Sequence, residues 1–388
     1  MTPDLSAIAY TLVLNAGSAT LKWAIFESTS LHEVGRGVIE RIGGKGSFAE
    51  FRLHGKALVR QQKFANHEGA LVYVLKALAW HKFHLSSITY VGHRIVHGAQ
   101  NSGPLLLNHK TLNQISKLSS LAPLHNTIET AVAKLAIKLL PQAKQVAVFD
   151  TSWFADLPEH VRTYGLPQSI SQKFNIRKYG FHGISHAYVA SQAAVKLGKS
   201  LASLNIVSCH LGSGSSVTAV REGRPIDTSM GFTPLEGLLM GTRAGDIDPG
   251  LVLFLAQQKN LSIKKLSQIL NEESGLKGLS GVEDMREVLV RAGYEVLGFI
   301  TNIKISTAQK RAAQLALKMF LYKLQKYIGA YAAILGRVDA IVFTGGIGER
   351  NEVVRNLVMR GLPNLRAIPV LAIATNEELA IARQIVKC

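Results

Sequence analysis

The sequence predicts an α/β protein built from two domains. Short apolar runs that lead into Gly-rich turns alternate along the chain with longer segments whose apolar residues recur at helical spacing. The chain has 388 residues, more than one hydrophobic core usually supports. Apolar residues make up 47% of it, which is ample for a globular core and excludes bulk disorder.

The first half opens with a predicted β-hairpin. Residues 11–15 form a short apolar run, residues 21–26 alternate in polarity, and a turn at Gly17-Ser18 lies between them. A buried strand at 145–149 delivers Asp150 at its C-terminal end. The other elements expected in this half are a helix near 66–80, a strand near 88–92 and a helix from 126 to about 140.

The helix from 126 has a recognisable start and stop. Asn126 is predicted to be its N-cap, with Glu129 three residues later, and Pro141 follows its end.

The second half repeats the strand, turn and strand order of the first. A strand at 205–209, a Gly/Ser turn and an alternating run at 217–220 resemble the first hairpin, which suggests a duplication. The other elements expected are a helix over 185–197 ending at Gly198, a long helix over 307–335 ending at Gly336, and a strand over 338–343 that enters a Gly-rich turn.

The charge and the cysteine content limit which classes of protein the sequence can represent. The chain carries 44 basic and 26 acidic residues, a net charge of +18, but the basic residues are spread thinly and no nucleic-acid-binding motif is present. No apolar stretch reaches the roughly 18–20 residues of a membrane span, and no signal peptide is expected. The two cysteines, Cys209 and Cys388, favour a reducing compartment. We therefore expect a cytoplasmic protein that binds neither nucleic acid nor membrane.

Three Gly-rich turns follow predicted strands, at Gly17-Ser18, 212–214 and 345–348. Glycine allows backbone N–H groups to approach phosphate oxygens, so three such turns favour a nucleotide ligand. A Walker-A loop is excluded, because Gly198-Lys-Ser200 has Ala193 at the position of the first glycine and follows a helix.

Several cationic side chains lie in glycine-rich or strand-end contexts that suit anion binding. Arg94 leaves the end of a strand, and Arg243 lies in a segment too polar for a plain helix and too apolar for a solvated loop. His182 is flanked by glycines and could donate a hydrogen bond to a phosphoryl group. Its spacing from His186 would also suit a pair of metal ligands, but no further Cys, His or carboxylate group accompanies the two histidines. The alternative is that His182 is a structural histidine in a loop.

Ten segments, in order, resemble the acetate kinase family. They are Asn15-Ala-Gly-Ser-x-x-Leu-Lys22, Gly92-His-Arg-x-Val-His-Gly98, Pro123-Leu-His-Asn126, Val148-Phe-Asp-Thr151, Tyr179-Gly-Phe-His-Gly183, Asp227-Thr-Ser-Met-Gly-Phe-Thr-Pro-Leu-Glu-Gly237, Gly241-Thr-Arg243, Gly245-Asp-Ile-Asp-Pro249, Phe343-Thr-Gly-Gly-Ile-Gly-Glu349 and Thr375-Asn-Glu-Glu-Leu379. The chain departs from the family pattern at Ala19, Thr20, Ala99 and Ser213, where the family usually has Ser, Ser, Gly and Asn.

The resemblance implies a reaction and its site residues. ATP would phosphorylate the carboxylate of acetate, with Mg²⁺ or alternatively Mn²⁺. The implied catalytic residues are Arg94, Asp150, His182 and Arg243, and the implied metal-binding residues are Asn15 and Glu377. The implied ATP-binding residues are Lys22, His210, Leu211, Gly212, Ser213, Gly214, Asp284, Met285, Arg286, Gly345, Gly346, Ile347, Gly348 and Glu349. The implied substrate-binding residues are Arg94, at the charged end of the site, and the apolar acyl-pocket residues Val96, Leu124, Phe181 and Pro234, which favours acetate over longer acids.

The resemblance also implies a fold and an assembly. The fold is the two-domain type of actin, sugar kinases and heat-shock ATPases, with a central cleft, and relatives are dimers. Domain one would comprise 1–150 plus 376–388, and domain two 151–375. A non-catalytic ATP-binding regulator is the main alternative; it could lose Arg94, Asp150, His182 or Arg243, and all four are present.

Overall fold

Two units make up the computed structural model, which describes residues 8–120, 125–299 and 304–388. Unit 1 comprises Met1–Ala155 and Asn376–Cys388, and unit 2 comprises Asp156–Thr375. The C-terminal segment of the chain therefore belongs to the same unit as the N-terminal half.

Strands and helices alternate in both units. The strands are β1 Tyr10–Ala16, β2 Thr20–Glu27, β3 Glu33–Glu40, β4 Phe48–Leu53, β5 Lys56–Gln61, β6 Ile88–Ile95, β7 Leu105–Leu106, β8 Lys144–Phe149, β9 Ile206–Leu211, β10 Ser215–Arg221, β11 Arg224–Thr228, β12 Ala340–Thr344 and β13 Val370–Ala372. The helices are α1 His67–Trp80, α2 His109–Lys117, α3 Asn126–Leu139, α4 Glu159–Arg162, α5 Gln168–Phe174, α6 Gly183–Leu197, α7 Pro249–Ala256, α8 Ile263–Gln268, α9 Gly275–Ser280, α10 Met285–Ala292, α11 Thr307–Leu335, α12 Gly345–Arg350, α13 Glu352–Arg360 and α14 Glu377–Ile385.

Each unit contains one mixed sheet, and the two sheets share a strand order. The sheet of unit 1 runs β5-β4-β3-β2-β1-β6-β8-β7, and that of unit 2 runs β11-β10-β9-β12-β13. In unit 1, β1 pairs antiparallel with β2 and parallel with β6. In unit 2, β9 pairs antiparallel with β10 and parallel with β12. Both predicted strand–turn–strand segments are therefore hairpins. In each unit the first strand of the hairpin also pairs in parallel with a later strand.

The core of unit 1 forms where the sheet packs against helices. Leu14, Trp23 and Ile25 on the sheet and Leu71 and Leu78 on α1 belong to one buried cluster. Burying a side chain of this size contributes about 1.5–3 kcal/mol, so this face holds the hairpin in place.

Helix α14 packs against the opposite side of the same strands. A Cβ atom on Gly92 of β6 would collide with Ile381 and Ile385 of α14, so the glycine permits the close approach. This contact holds the second half of α14 against β6.

Most predicted helix ends agree with the structure. The Asn66 side chain caps α1 by accepting from the Gly69 N–H at 2.9 Å. Helix α6 ends at Gly198, whose φ of +63° lies in the left-handed region, and α11 ends at Gly336 with φ +72°.

Two local predictions were wrong. Asn126 is the first residue of α3, and His125 occupies the cap position, because the Asn126 side chain binds a different backbone segment (see below). Residues 345–348 form the first turn of α12 and not an open turn. Within this segment only Gly345 has a left-handed φ, of +75°, and the following residues are helical.

Two further observations concern the surface and the cysteines. Among the described residues, no helix is both long enough and apolar enough to pass through a bilayer. Cys209 is a buried free thiol and Cys388 an exposed one.

Candidate active site

In unit 1, two adjacent parallel strands bring an arginine and an aspartate together. Arg94 is the second-last residue of β6, and Asp150 directly follows β8. These two strands pair in parallel. Arg94 Nε donates to Asp150 Oδ1 at 3.1 Å, and Arg94 Nη2 donates to Asp150 Oδ2 at 2.5 Å. Both carboxylate oxygens of Asp150 are therefore engaged by the guanidinium group in a bidentate pair.

Two other predicted residues complete this cluster. Arg94 Nη1 donates to Asn15 Oδ1 at 3.1 Å, and Asn15 Nδ2 donates to Glu377 Oε2 at 3.2 Å. Glu377 Oε2 lies 3.6 Å from Arg94 Nε, and Glu378 Oε1 also accepts from Asn15 Nδ2, at 3.2 Å. The ends of β1, β6 and β8 and the start of α14 thus contribute one connected group of polar side chains.

The charged groups in this cluster stabilise one another in their ionised forms. Burial opposes the charge on Arg94, but the neighbouring Asp150 and Glu377 carboxylates outweigh it and raise the pKa of the guanidinium above its ordinary value. The side chain of Asp150 is only 2% exposed. Removing the cationic partner of a buried carboxylate is strongly destabilising.

The start of α3 holds the segment that follows β6. Glu129 Oε2 accepts from the Val96 N–H at 2.9 Å, and Asn126 Oδ1 accepts from the His97 N–H at 3.1 Å. Asn126 Nδ2 donates back to the His97 carbonyl at 3.0 Å. These side chains satisfy the backbone of a strand end, which explains why Asn126 does not cap its own helix.

Glu129 is an unusual member of this group. It is 2% exposed, and its Oε1 atom has no hydrogen-bond partner among the described residues. Burial raises the pKa of Glu129 to about 8, although Arg94 and the Val96 N–H act in the opposite direction. The Glu129 carboxyl group therefore retains its proton to a higher pH than an exposed glutamate does.

In unit 2, His182 occupies a strained position at the start of α6. Its φ of +60° lies in the left-handed region, and it takes the N-cap position of the helix. His182 Nδ1 lies 2.9 Å from Ser216 Oγ, and its ring stacks on that of His210 with centroids 4.3 Å apart. The prediction that His182 lies in a loop at glycines, and not within a helix, is confirmed.

Arg243 and His182 both approach Gly214. A Cβ atom on Gly214 would lie 3.3 Å from Arg243 Nη1 and 3.4 Å from His182 Nε2. The polar contacts of Arg243 are with the Pro234 carbonyl at 3.4 Å and Met240 Sδ at 4.0 Å. Burial lowers the pKa of this guanidinium. Unit 2 therefore presents a cation and a histidine at one point, and the described contacts of the cation are neutral.

The predicted ATP-binding segments meet around the β9–β10 turn. Residues 212–214 form this turn and follow His210 and Leu211 at the end of β9, and a side chain on Gly345 would collide with the Leu211 backbone. Gly241 N–H donates to the Ser213 carbonyl at 3.2 Å, and a Cβ on Gly241 would lie 3.6 Å from the Glu283 carbonyl. Gly345 thus brings segment 345–349 against segment 210–214, and Gly241 lies between that turn and Glu283, the residue before segment 284–286.

The third of these segments starts α10. Asp284 caps the helix by accepting from the Arg286 N–H at 2.8 Å and also forms an ion pair with the Arg286 side chain. The Arg286 hydrogen bonds lower the pKa of Asp284. Met285, between them, is buried.

The remaining predicted residues have diverse surroundings. Val96 and Phe181 are buried, at 4% and 1% exposure, and Pro234 is half-buried. Lys22 is exposed on β2, opposite Asn15 across the hairpin. Leu124 lies outside the described residues.

Comparisons with known proteins match nearly the whole chain. The profile of the Acetokinase family matches residues 10–367. This chain belongs to the acetokinase family. It is 43% identical to the acetate kinase of Carboxydothermus hydrogenoformans over 96% of this chain and 97% of that protein. It is 39% identical to the acetate kinase of Clostridium novyi over 96% of each chain.

Solved structures of family members confirm the predicted fold. A propionate kinase from Francisella tularensis superposes with a TM-score of 0.87 at 35% identity, covering 97% of this chain and 99% of that one. The Porphyromonas gingivalis acetate kinase gives a TM-score of 0.81 at 33% identity, covering 97% and 98%. The α/β fold of the actin, sugar-kinase and heat-shock-ATPase type is therefore the fold of this acetokinase.

One departure from the family pattern has a structural consequence. Ala99 replaces the usual glycine and has a φ of +52°. An L-residue in this region costs about 1–2 kcal/mol relative to glycine. The departure at Ala99 therefore places strain two residues beyond His97.

The sequence did not identify several residues of these clusters. Glu378 was missed beside Glu377, and Asn126 and Glu129 were assigned to a helix cap. The only available signal was that two polar residues lie at i,i+3 spacing in a largely apolar helix. His186 was considered as half of a metal pair, but it contacts the same Ser216 hydroxyl as His182.

Proposed function

We propose that this acetokinase is a Mg²⁺-dependent acetate kinase that transfers the γ-phosphoryl group of ATP reversibly to the carboxylate of acetate, giving acetyl phosphate and ADP. The observation that carries the proposal is the pair formed by Arg243 and His182 at Gly214, where a cation and a histidine ring approach the same backbone position. The acetate kinases named above, similar over nearly all of their length, support the choice of substrate.

The chemistry requires positive charge and needs no general base. A carboxylic acid with a pKa near ~4 is already ionised at neutral pH. The barrier arises because one anion attacks a polyphosphate and charge spreads over the transferring group, so catalysis is positioning and electrostatics. Arg94, Arg243 and His182 supply this charge and these donors.

We assign Asp150 the role of orienting Arg94. Both of its oxygens accept from the Arg94 guanidinium, and neither is placed as a base without breaking that pair. Arg94 in this fixed orientation would hold the carboxylate of the acid, and Arg243 and His182 the transferring phosphoryl group. Direct in-line transfer follows, because no second nucleophile is required.

For ATP we propose the segments 210–214, 284–286 and 345–349, with Lys22 contributing from β2. The glycines among them bring backbone groups together without intervening side chains. This arrangement suits the binding of phosphate and sugar by main-chain groups.

The divalent metal would be held by Asn15 and Glu377. Their oxygens are the hard ligands that Mg²⁺ prefers, and Mg²⁺ usually takes only one or two carboxylates together with substrate phosphates. The polar cluster around Arg94 contains such oxygen atoms, on Asn15 and Glu377. When bound, the metal would neutralise charge on the β- and γ-phosphates. EDTA should abolish turnover, and Mg²⁺ or Mn²⁺ should restore it; turnover without divalent cations would contradict this assignment.

Propionate is the second candidate substrate, because the Francisella tularensis relative is named a propionate kinase. We favour acetate, since the predicted acyl-pocket residues Val96, Leu124, Phe181 and Pro234 are all apolar and Val96 is β-branched and stiff. The test is to trap the acyl phosphate with hydroxylamine across acetate, propionate and butyrate. Catalytic efficiency should be highest for acetate and lowest for butyrate, and absence of any acyl phosphate would refute the proposal.

We further propose that the enzyme is a cytoplasmic homodimer that acts on small molecules and not on nucleic acid or membranes. The low cysteine content and the family resemblance support this.

A further inference from the structure

A chain of buried hydrogen bonds extends from His182 into the interior of unit 2. Ser216 Oγ lies 2.9 Å from His182 Nδ1 and 2.8 Å from His186 Nε2. His186 Nδ1 in turn lies 2.8 Å from Ser208 Oγ. Ser208, His186 and Ser216 are all fully buried. One hydroxyl group therefore links the two histidine rings.

The number of protons in this chain is limited. Burial, together with the neighbouring His210, holds the pKa of His186 well below its usual range, so the ring is neutral and carries one N–H. The Ser216 hydroxyl also has a single proton. If it donates to one histidine, it must accept from the other.

Two arrangements satisfy this count. In the first, His186 Nε2–H donates to Ser216, and Ser216 donates to His182 Nδ1, which leaves the His182 proton on Nε2. In the second, both donors are reversed, and His182 Nδ1–H donates to Ser216. His182 then presents an N–H at Nε2 only if its ring becomes a cation.

The surroundings favour a neutral His182 ring. His182 Nε2 and Arg243 Nη1 both lie within 3.4 Å of the position that a Cβ on Gly214 would occupy. A second cation there would be repelled by the Arg243 guanidinium, and the His182 ring also stacks on His210. Of the elements that contact α6 most extensively, β9 carries His210 and Cys209, whereas the segment 201–203 and β12 carry no titratable side chain. The first arrangement supplies an N–H without a second charge.

We propose that Ser216 and His186 are positioning residues that hold His182 as the neutral Nε2–H tautomer, so that it donates a hydrogen bond beside Arg243. The inference rests on the proposed function for its kinetic consequence, because the acceptor would be the transferring phosphoryl group. It also rests on it for the choice between the two neutral arrangements, because only the first presents an N–H at Nε2; the tautomer itself is measured on the free protein.

The test compares wild type with Ser216→Ala and Thr218→Ala. Thr218 is the matched control, since it lies on the same strand, is equally buried and bonds the Thr228 hydroxyl and no histidine. The tautomer is read from two-bond ¹⁵N–¹H correlations of protein labelled with ¹⁵N in histidine. The His182 signal is assigned from its loss in His182→Gln.

Wild type and Thr218→Ala should show the His182 proton on Nε2, and Ser216→Ala should show a mixture of tautomers. Turnover of Ser216→Ala should fall about tenfold, the equivalent of one neutral hydrogen bond, with the KM for ATP changed less than twofold. An Nδ1–H tautomer in wild type, or an unchanged tautomer in Ser216→Ala, would overturn the inference even if the enzyme is an acetate kinase. A wild type that forms no acyl phosphate but shows these tautomers would overturn the proposed function alone.

Discussion

The key arginines of the two units have opposite electrostatic surroundings. In unit 1, Arg94 is bound by a bidentate Asp150 and approached by Glu377 at 3.6 Å. In unit 2, the described contacts of Arg243 are a carbonyl oxygen and a thioether sulfur. The carboxylates raise the pKa of the Arg94 guanidinium, whereas burial lowers that of Arg243.

The difference indicates what each side chain is prepared for. A paired guanidinium is held in one orientation, and its charge is largely balanced before any ligand arrives. A buried cation with neutral contacts is left with unbalanced charge, which an incoming anion would relieve. Arg94 is therefore suited to orienting a substrate, and Arg243 to binding charge that develops during transfer.

Replacing Arg94 should damage both turnover and folding. Arg94→Ala should lower turnover at least ~10²-fold, as loss of a transition-state donor does. It should also reduce the free energy of unfolding of unit 1 by about 3–5 kcal/mol, because the buried Asp150 carboxylate loses its bidentate cationic partner. All three tryptophans, Trp23, Trp80 and Trp153, belong to unit 1, so urea unfolding followed by tryptophan fluorescence reports on this unit.

A second substitution separates the two effects. In the Arg94→Ala background, Asp150→Asn should recover much of the lost stability, since a neutral amide is cheaper to bury, but it should not restore turnover. If Arg94→Ala alone unfolds at the wild-type urea concentration, the ion pair does not stabilise the unit.

Replacing Arg243 should affect turnover alone. Arg243→Ala should also lower turnover at least ~10²-fold. Because it removes a cation whose described contacts are neutral, thermal unfolding measured by circular dichroism should occur at or above the wild-type temperature. Full activity, or a loss of stability as large as that of Arg94→Ala, would remove the contrast between the two arginines.

Glu129 should make the stability of unit 1 depend on pH. Its pKa is raised from 4.5 to about 8 in the folded protein. The stabilisation is complete below pH 4.5 and is lost as pH rises towards 8, because the unfolded chain releases a proton that the folded chain retains. Each pH unit in this window changes the free energy of unfolding by up to about 1.4 kcal/mol.

Glu129→Gln removes this titration and keeps an oxygen for the Val96 N–H. The fluorescence-detected free energy of unfolding should therefore vary less between pH 5 and 8 than in wild type. Glu68→Gln, at an exposed glutamate of unit 1, is the control and should leave the wild-type slope unchanged. An identical slope in all three proteins would show that Glu129 is ionised when folded.

The smallest expected effect concerns the acid that is used. Val96 is buried, and its backbone N–H is held by Glu129, so its side chain is fixed. Val96→Ala should raise the ratio of kcat/KM for propionate over acetate by about fourfold, the equivalent of ~0.8 kcal/mol for one buried CH₂ group. A ratio that does not change would mean that Val96 does not contact the acyl chain.

The sequence by itself determined the local structure. Periodicity predicted both hairpins, and left-handed glycines ended α6 and α11 as expected, because these features depend on neighbours within a few residues. The ordered motifs also predicted the family and its fold. The sequence placed Arg94 and Asp150 at strand ends, and the parallel pairing of β6 with β8 brings them together.

Only the tertiary structure decided what the polar side chains contact. Asn15 bonds Glu377, which lies 362 residues further along the chain. Asn126 and Glu129 have the spacing of a helix cap, yet they bind the backbone of residues 96 and 97. A side-chain amide or carboxylate satisfies any backbone donor that comes within reach, and which donor that is depends on how strands and helices pack.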